Sequence, residues 1–204
     1  MNKFSRLSLG SYFRLVSSTI LLAVGGMTFV YANWLQIKAE VAQVLIEQAW
    51  QQTISTPSEH HKPWSWADFW PVAKLQLGKK SSVYVLSSAS GQSLAFGPGH
   101  MLESSSIGAN GQVMIAGHKD SHFSFLQSAQ LSDEITLTDR LGKVHTYEIT
   151  TMEIMDSSRN QLRLADRDEL VLITCYPFNT LEMNGPMRLV VSASRIEKMK
   201  YDKS

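Results

Sequence analysis

A single cysteine, Cys175, stands among 204 residues, which excludes an intramolecular disulfide. Net charge is almost lacking too. The 19 Lys and Arg against 18 Asp and Glu leave a formal +1, a balance that argues against a polyanionic partner. No basic cluster with interleaved aromatics occurs, so the footprint of a nucleic-acid binder is missing. Internal repeats are absent, and low complexity is confined to short serine patches at 87–90 and 104–106. No carboxylate cluster is dense enough to suggest a Ca²⁺ site. His60 and His61 are adjacent in an irregular stretch from Thr53 to Pro63; neighbouring side chains point apart, so both read as solvated linker residues. His118 and His122 would share a face only in a helix, and zinc needs more ligands than Cys175 could add. Neither a metal nor an organic cofactor is expected.

One long apolar run is present. Lys3, Arg6 and Arg14 precede a stretch from Leu15 to Trp34, about the ~20 residues a helix needs to cross a bilayer. Ser17, Ser18 and Thr19 weaken it without disqualifying it, because hydroxyls can bond back to helix carbonyls. The flanking charges put residues 1–14 in the cytoplasm, 15–34 in the membrane and the remainder outside. A signal peptide cleaved after Ala32 competes with a retained anchor; the length of the run and the aromatics Tyr31 and Trp34 favour the anchor. An exported chain with one cysteine must draw its stability from burial rather than disulfides.

The exported part reads as a helix and Trp-rich linker over 35–80 and one domain over 81–204. Trp34, Ile37, Val41, Val44, Leu45 and Ala49 recur at broadly helical spacing. Trp64, Trp66 and Trp70 are expected to strap the linker onto the domain. From Ser82 the texture changes to short β-type runs at 83–86, 93–96, 113–116, 135–137, 144–149, 152–154, 170–174 and 187–193. Gly91, Gly97-Pro98-Gly99, Gly111 and Gly142 punctuate them, with a hairpin turn expected at Asp139–Gly142. Such a pattern suggests a mainly β sandwich or closed barrel.

Three chemistry-bearing residues lie at strand ends. His118 follows Val113–Ala116, Cys175 ends the run Val171-Leu172-Ile173-Thr174, and Arg188 opens the last run. A lone cysteine after an apolar strand is a packing residue or a nucleophile, and as a nucleophile it needs a nearby cation or base. His118 can hold a proton and deliver it to a leaving amine. Arg188 keeps its charge and can stabilise a thiolate and an oxyanion. Asp120 could orient the imidazole or be a solvated loop carboxylate. His100 reads as structural, and Asp156 as a turn residue opening the long connection to Cys175, a natural groove wall.

Val171-Leu172-Ile173-Thr174-Cys175 resembles the sortase signature T-L-x-T-C, and Ala116-Gly117-His118-Lys119-Asp120 resembles the catalytic-histidine segment of that family. Arg188 falls where a sortase carries its third catalytic residue. The likeness runs in order over about residues 82–195, and the Trp strap, the anchor and Cys175-Tyr176-Pro177-Phe178 are most similar to Gram-negative proteobacterial sortases. Val171 departs from the signature's Thr and is expected to be an inward packing position. The resemblance implies a closed eight-stranded sortase-type β-barrel behind one N-terminal transmembrane helix, with short helices. It implies a cysteine transpeptidase acting on a protein with an L-P-x-T-G-like C-terminal sorting signal and on an amine acceptor of the envelope or a pilin. In that reading Cys175 is the nucleophile, His118 the general acid/base and Arg188 the oxyanion stabiliser, while Thr174 helps hold substrate or oxyanion. A membrane-anchored cysteine endopeptidase and a non-enzymatic peptide-binding scaffold are the alternatives.

Overall fold

A computed structural model describes residues 9–78, 81–160, 164–180 and 185–196. The chain divides into two compact units, the first ending at Ala42 and the second starting at Gln43. Helix α1, Leu9–Ser55, contributes to both. Within the first unit the large apolar side chains of the run have no cover: Leu21, Leu22 and Met27 are 75, 77 and 78 % exposed. The helix is long and apolar enough to cross a membrane. Its polar side chains turn inward on the helix itself. Thr19 Oγ1 donates to Leu15 O at 2.7 Å, Ser18 Oγ to the same carbonyl at 3.0 Å, and Asn33 Nδ2 to Phe29 O at 2.7 Å.

In the second unit the end of α1 lies against strands. The buried stripe is Ile46, Ala49, Trp50 and Thr53, at helical spacing, whereas Val44, expected on the apolar face, is 53 % exposed. Ile46 clusters with Phe69 and Leu86, and Trp64, Tyr84 and Phe96 pack around them. Burial pushes the Tyr84 phenol up to about 12, reinforced by the Glu47 carboxylate that hydrogen-bonds it. The tryptophan strap is only partly as expected. Trp64 meets Phe69 and Phe96 edge-on and Trp70 stacks under His60 at 4.4 Å, but Trp66 is 83 % exposed and fastens nothing.

Among the described residues, eight strands close into a barrel: β1 Pro71–Leu77, β2 Ser81–Leu86, β3 Gly99–His100, β4 Val113–Ala116, β5 Glu134–Asp139, β6 Val144–Asp156, β7 Glu169–Cys175 and β8 Met187–Ile196. They close in the order β1-β2-β3-β4-β7-β8-β6-β5, which leaves no sheet edge to blunt. Three expectations change in detail. β1 is a strand ahead of the point where strand texture was expected to begin. Residues 93–96 are not a strand: α2 covers Gly91–Leu94, with Ser93 Oγ bonded to Ser88 O and Ser90 O. The two runs at 144–149 and 152–154 are one strand, β6, with a register shift between Ile149 and Thr151.

Alternation explains the interior. Ala73, Leu75 and Leu77 of β1, Leu170 and Leu172 of β7, and Leu189, Val191 and Ala193 of β8 form the main core with Val113, Ile115 and Ile135. The intervening residues Val171 and Ile173 are buried too, against Met114 on the opposite face. Val171 therefore packs outward, not inward as its spacing from Cys175 suggested. β7 is covered on both faces, which is why its sequence is a continuous apolar run.

Candidate active site

β7 and β8 run antiparallel in a register that places Cys175 opposite Arg188, Thr174 opposite Leu189 and Ile173 opposite Val190. Strand alternation puts Cys175 on the outer face with Val171 and Ile173, and Arg188 on the same face with Val190. β6 extends the row, with Met155 opposite Arg188. The thiol is free and half-buried. Arg188 Nη1 donates to Gly185 O at 2.6 Å and Met187 O at 2.9 Å, so the turn before β8 holds the guanidinium.

His118 comes from the other side of β7. β4 lies parallel to β7 with Ala116 opposite Ile173, and Gly117 N donates to Ile173 O at 3.0 Å. Exposed His118 follows one residue beyond Gly117, as Cys175 follows two beyond Ile173. Cysteine and arginine thus face each other across β7 and β8, and His118 lies two residues past the end of β4, the strand on the other side of β7. Gly117 is required there: a Cβ would stand 2.9 Å from the ring of fully buried Phe123.

Thr174 is 2 % exposed, and its Oγ1 donates to Gly117 O at 2.8 Å. Its hydroxyl ties β7 to the segment that carries His118. Asp120 is exposed. Asp156 organises a turn, accepting Ser158 N at 2.9 Å and Ser158 Oγ at 2.6 Å; these bonds hold its carboxyl below the usual carboxylate range. His100 is buried, its Nε2 3.0 Å from Ser105 O. Just before it, a Cβ on Gly99 would strike the Ser88 carbonyl and Ala89 Cα, so only glycine fits the bend.

Two residues of the His118 segment were not singled out by the sequence for what they do. Lys119 is 5 % exposed, with Nζ donating to Pro177 O at 2.8 Å and Thr180 O at 3.1 Å. His122 lies close enough to His118 for their charges to interact, and it hydrogen-bonds the Ala95 carbonyl; burial is the main cause pushing it below the ordinary histidine value. A signal existed only for Lys119, as a cation inside an otherwise tightly turned segment. A recess of about 330 Å³ opens between Leu126, Met152, Tyr176, Phe178 and Leu189; Cys175 does not line it. Among the described residues no group of three or more His, Cys, Asp or Glu is placed to hold a metal ion.

Residues 76–196 match the sortase domain model, more than half of the chain. The chain belongs to the sortase family. Sortase D of Bacillus subtilis is 31% identical over 102 residues, covering 49% of this chain and 50% of that protein; the chain thus matches about half the length of this curated relative. Among solved structures, a Clostridium perfringens sortase D5 transpeptidase superposes with a TM-score of 0.56 at 21% identity, covering 76% of this chain and 96% of that one. Sortase A of Corynebacterium diphtheriae gives 0.55 at 20% identity, covering 79% and 86%. These likenesses show a sortase-type barrel fold.

Proposed function

We propose that this sortase is a membrane-anchored cysteine transpeptidase. The observation that supports the reading is the pairing of Cys175 with Arg188 across β7 and β8, with β4, which leads into His118, on the other side of β7. The Cys175 thiolate attacks the scissile carbonyl of an L-P-x-T-G-like sorting signal, forming a C–S bond, and the oxyanion that develops faces the Arg188 guanidinium. His118 delivers a proton to the departing amine as the C–N bond breaks, leaving a thioester on Cys175. An incoming amine then loses a proton to His118 and forms a new C–N bond as the C–S bond breaks, which regenerates the thiolate. Thr174 serves this reading through Gly117, fixing the separation of the thiol's strand from the segment that carries the imidazole.

The substrate is an exported protein carrying the signal at its C-terminus, and the acceptor is an amine of the envelope or of a pilin. Residues 15–34 anchor the chain, with 1–14 and their basic residues on the cytoplasmic side. The barrel, which takes in β1 from Pro71, works outside the inner membrane. The test is mass spectrometry of the full chain in detergent with a panel of L-P-x-T-G-like peptides, with and without a supplied amine. A thioester adduct on Cys175 and a ligated product are expected. Hydrolysed peptide alone would replace ligation by the endopeptidase reading, and peptide binding without any adduct would leave only a scaffold.

A further inference from the structure

His118 is exposed and sits on a turn, so packing of its own ring does not fix it over the neighbouring strand. The chain on both sides of it is fixed instead. On one side Gly117 is stitched to β7 twice, its N–H to Ile173 O at 3.0 Å and its carbonyl to the Thr174 hydroxyl at 2.8 Å. On the other side the Lys119 side chain runs inward, with Nζ on the carbonyls of Pro177 at 2.8 Å and Thr180 at 3.1 Å. Those carbonyls belong to the segment that leaves Cys175 toward β8. Lysine is seldom this deeply buried without a specific partner, and bonds from an ammonium are among the stronger ones a side chain makes.

We infer that Lys119 is a positioning residue for the Cys175–His118 pair, bracing the histidine turn against the segment that follows the nucleophile; the inference rests on the pairing proposed above. Gly117 and Lys119 flank His118 and are tied to positions on either side of Cys175. The backbone that carries the imidazole can then shift relative to the sulfur only if one of these ties breaks. A proton-transfer partner displaced by about 1 Å can lose on the order of 10²-fold in rate, so the second tie matters to chemistry rather than to folding alone.

The experiment uses the full chain in detergent and reads Cys175 alone, because it is the one thiol. Iodoacetamide alkylation, in which the sulfur displaces iodide, is followed by intact mass for wild type, Lys119→Met, His118→Ala and the double variant. Lys119→Met should slow alkylation about tenfold when His118 is present, and by less than about twofold in the His118→Ala background, because the lysine acts through the histidine. Lys119→Arg, which keeps donors and charge, should restore most of the rate. Equal slowing in both backgrounds, or none in either, overturns the inference. If the methionine variant does not fold, Lys119→Gln is put through the same cycle with the same criterion. A rate unchanged by His118→Ala would overturn the cysteine–histidine pairing itself and the lysine's role with it, a pattern distinct from failure of the lysine alone.

Discussion

Cys175 and Arg188, thirteen residues apart in the chain, are directly opposed in the β7–β8 ladder, which sets their Cα atoms roughly 5 Å apart. The pairing is enforced from below. Leu170, Leu172, Leu189 and Val191 point into the core on the same two strands, and a one-residue slip would turn them outward. Core packing thereby dictates that thiol and guanidinium share the outer face.

Arg188 is the first residue to probe on that basis. Its Nη1 is held by Gly185 O and Met187 O, and a guanidinium offers further donors in a fixed plane that an ammonium lacks. Arg188→Lys should keep the fold, with a thermal midpoint near wild type, yet lower kcat for peptide ligation on the order of 10²-fold. A rate within about threefold of wild type would remove the guanidinium from oxyanion stabilisation.

Thr174 separates two roles, holding substrate and holding strands. Thr174→Val keeps the shape and deletes the bond to Gly117 O, at a stability cost of about 1 kcal/mol. If the hydroxyl positions His118 through Gly117, kcat should fall on the order of tenfold while KM stays near wild type. A rise in KM with kcat unchanged would instead assign the hydroxyl to substrate.

What the sequence could and could not reveal follows from the range of each interaction. The run Val171–Cys175 was legible because both faces of β7 are covered, and the Asp139–Gly142 hairpin because its turn is local, with Asp139 Oδ1 accepting Leu141 N and Lys143 N. β1 was missed although its burial alternates along the strand, because the neighbouring tryptophans dominate the pattern. Residues 93–96 read as a strand from their apolar content, whereas the serine hydroxyls around Ser93 favour a helical turn. The contacts of Lys119 and Thr174 were beyond reach for another reason. Their partners lie 58 and 57 residues away, and only the barrel's closure brings them together.

The far end of β8 offers a contrast to Arg188. Arg195 Nη1 donates to His145 Nδ1 at 3.2 Å, so the opposite ring nitrogen, 2.8 Å from Asp139 Oδ2, carries the proton. Arg195 Nη2 also bonds Ala109 O at 2.8 Å and Tyr147 Oη at 3.1 Å, while Nε stands 3.0 Å from Asp168 Oδ2 without hydrogen-bond alignment. Removing Arg195 strands His145 Nδ1 and the Tyr147 hydroxyl, both on β6. Arg195→Met should therefore cost about 3 kcal/mol of stability by denaturant titration, with kcat of the folded fraction unchanged. A loss of kcat without loss of stability would mean that this network communicates with the site.

His122 supplies the pH dependence. Burial depresses its pKa below the ordinary histidine value, the nearby His118 adds to that, and the bond to the Ala95 carbonyl works the other way without cancelling it. Above about pH 6.5 the residue is neutral in folded and unfolded chains alike, and its contribution to stability is complete. As pH falls below that point the unfolded chain takes up a proton that the folded chain refuses. Stability therefore declines until the depressed folded value is passed. Thermal midpoints measured in steps from about pH 7.5 to about 5.5 should fall more steeply for wild type than for His122→Gln, whose amide can still donate to Ala95 but cannot titrate. Equal slopes in the two proteins would show that the folded chain protonates His122 as readily as the unfolded one.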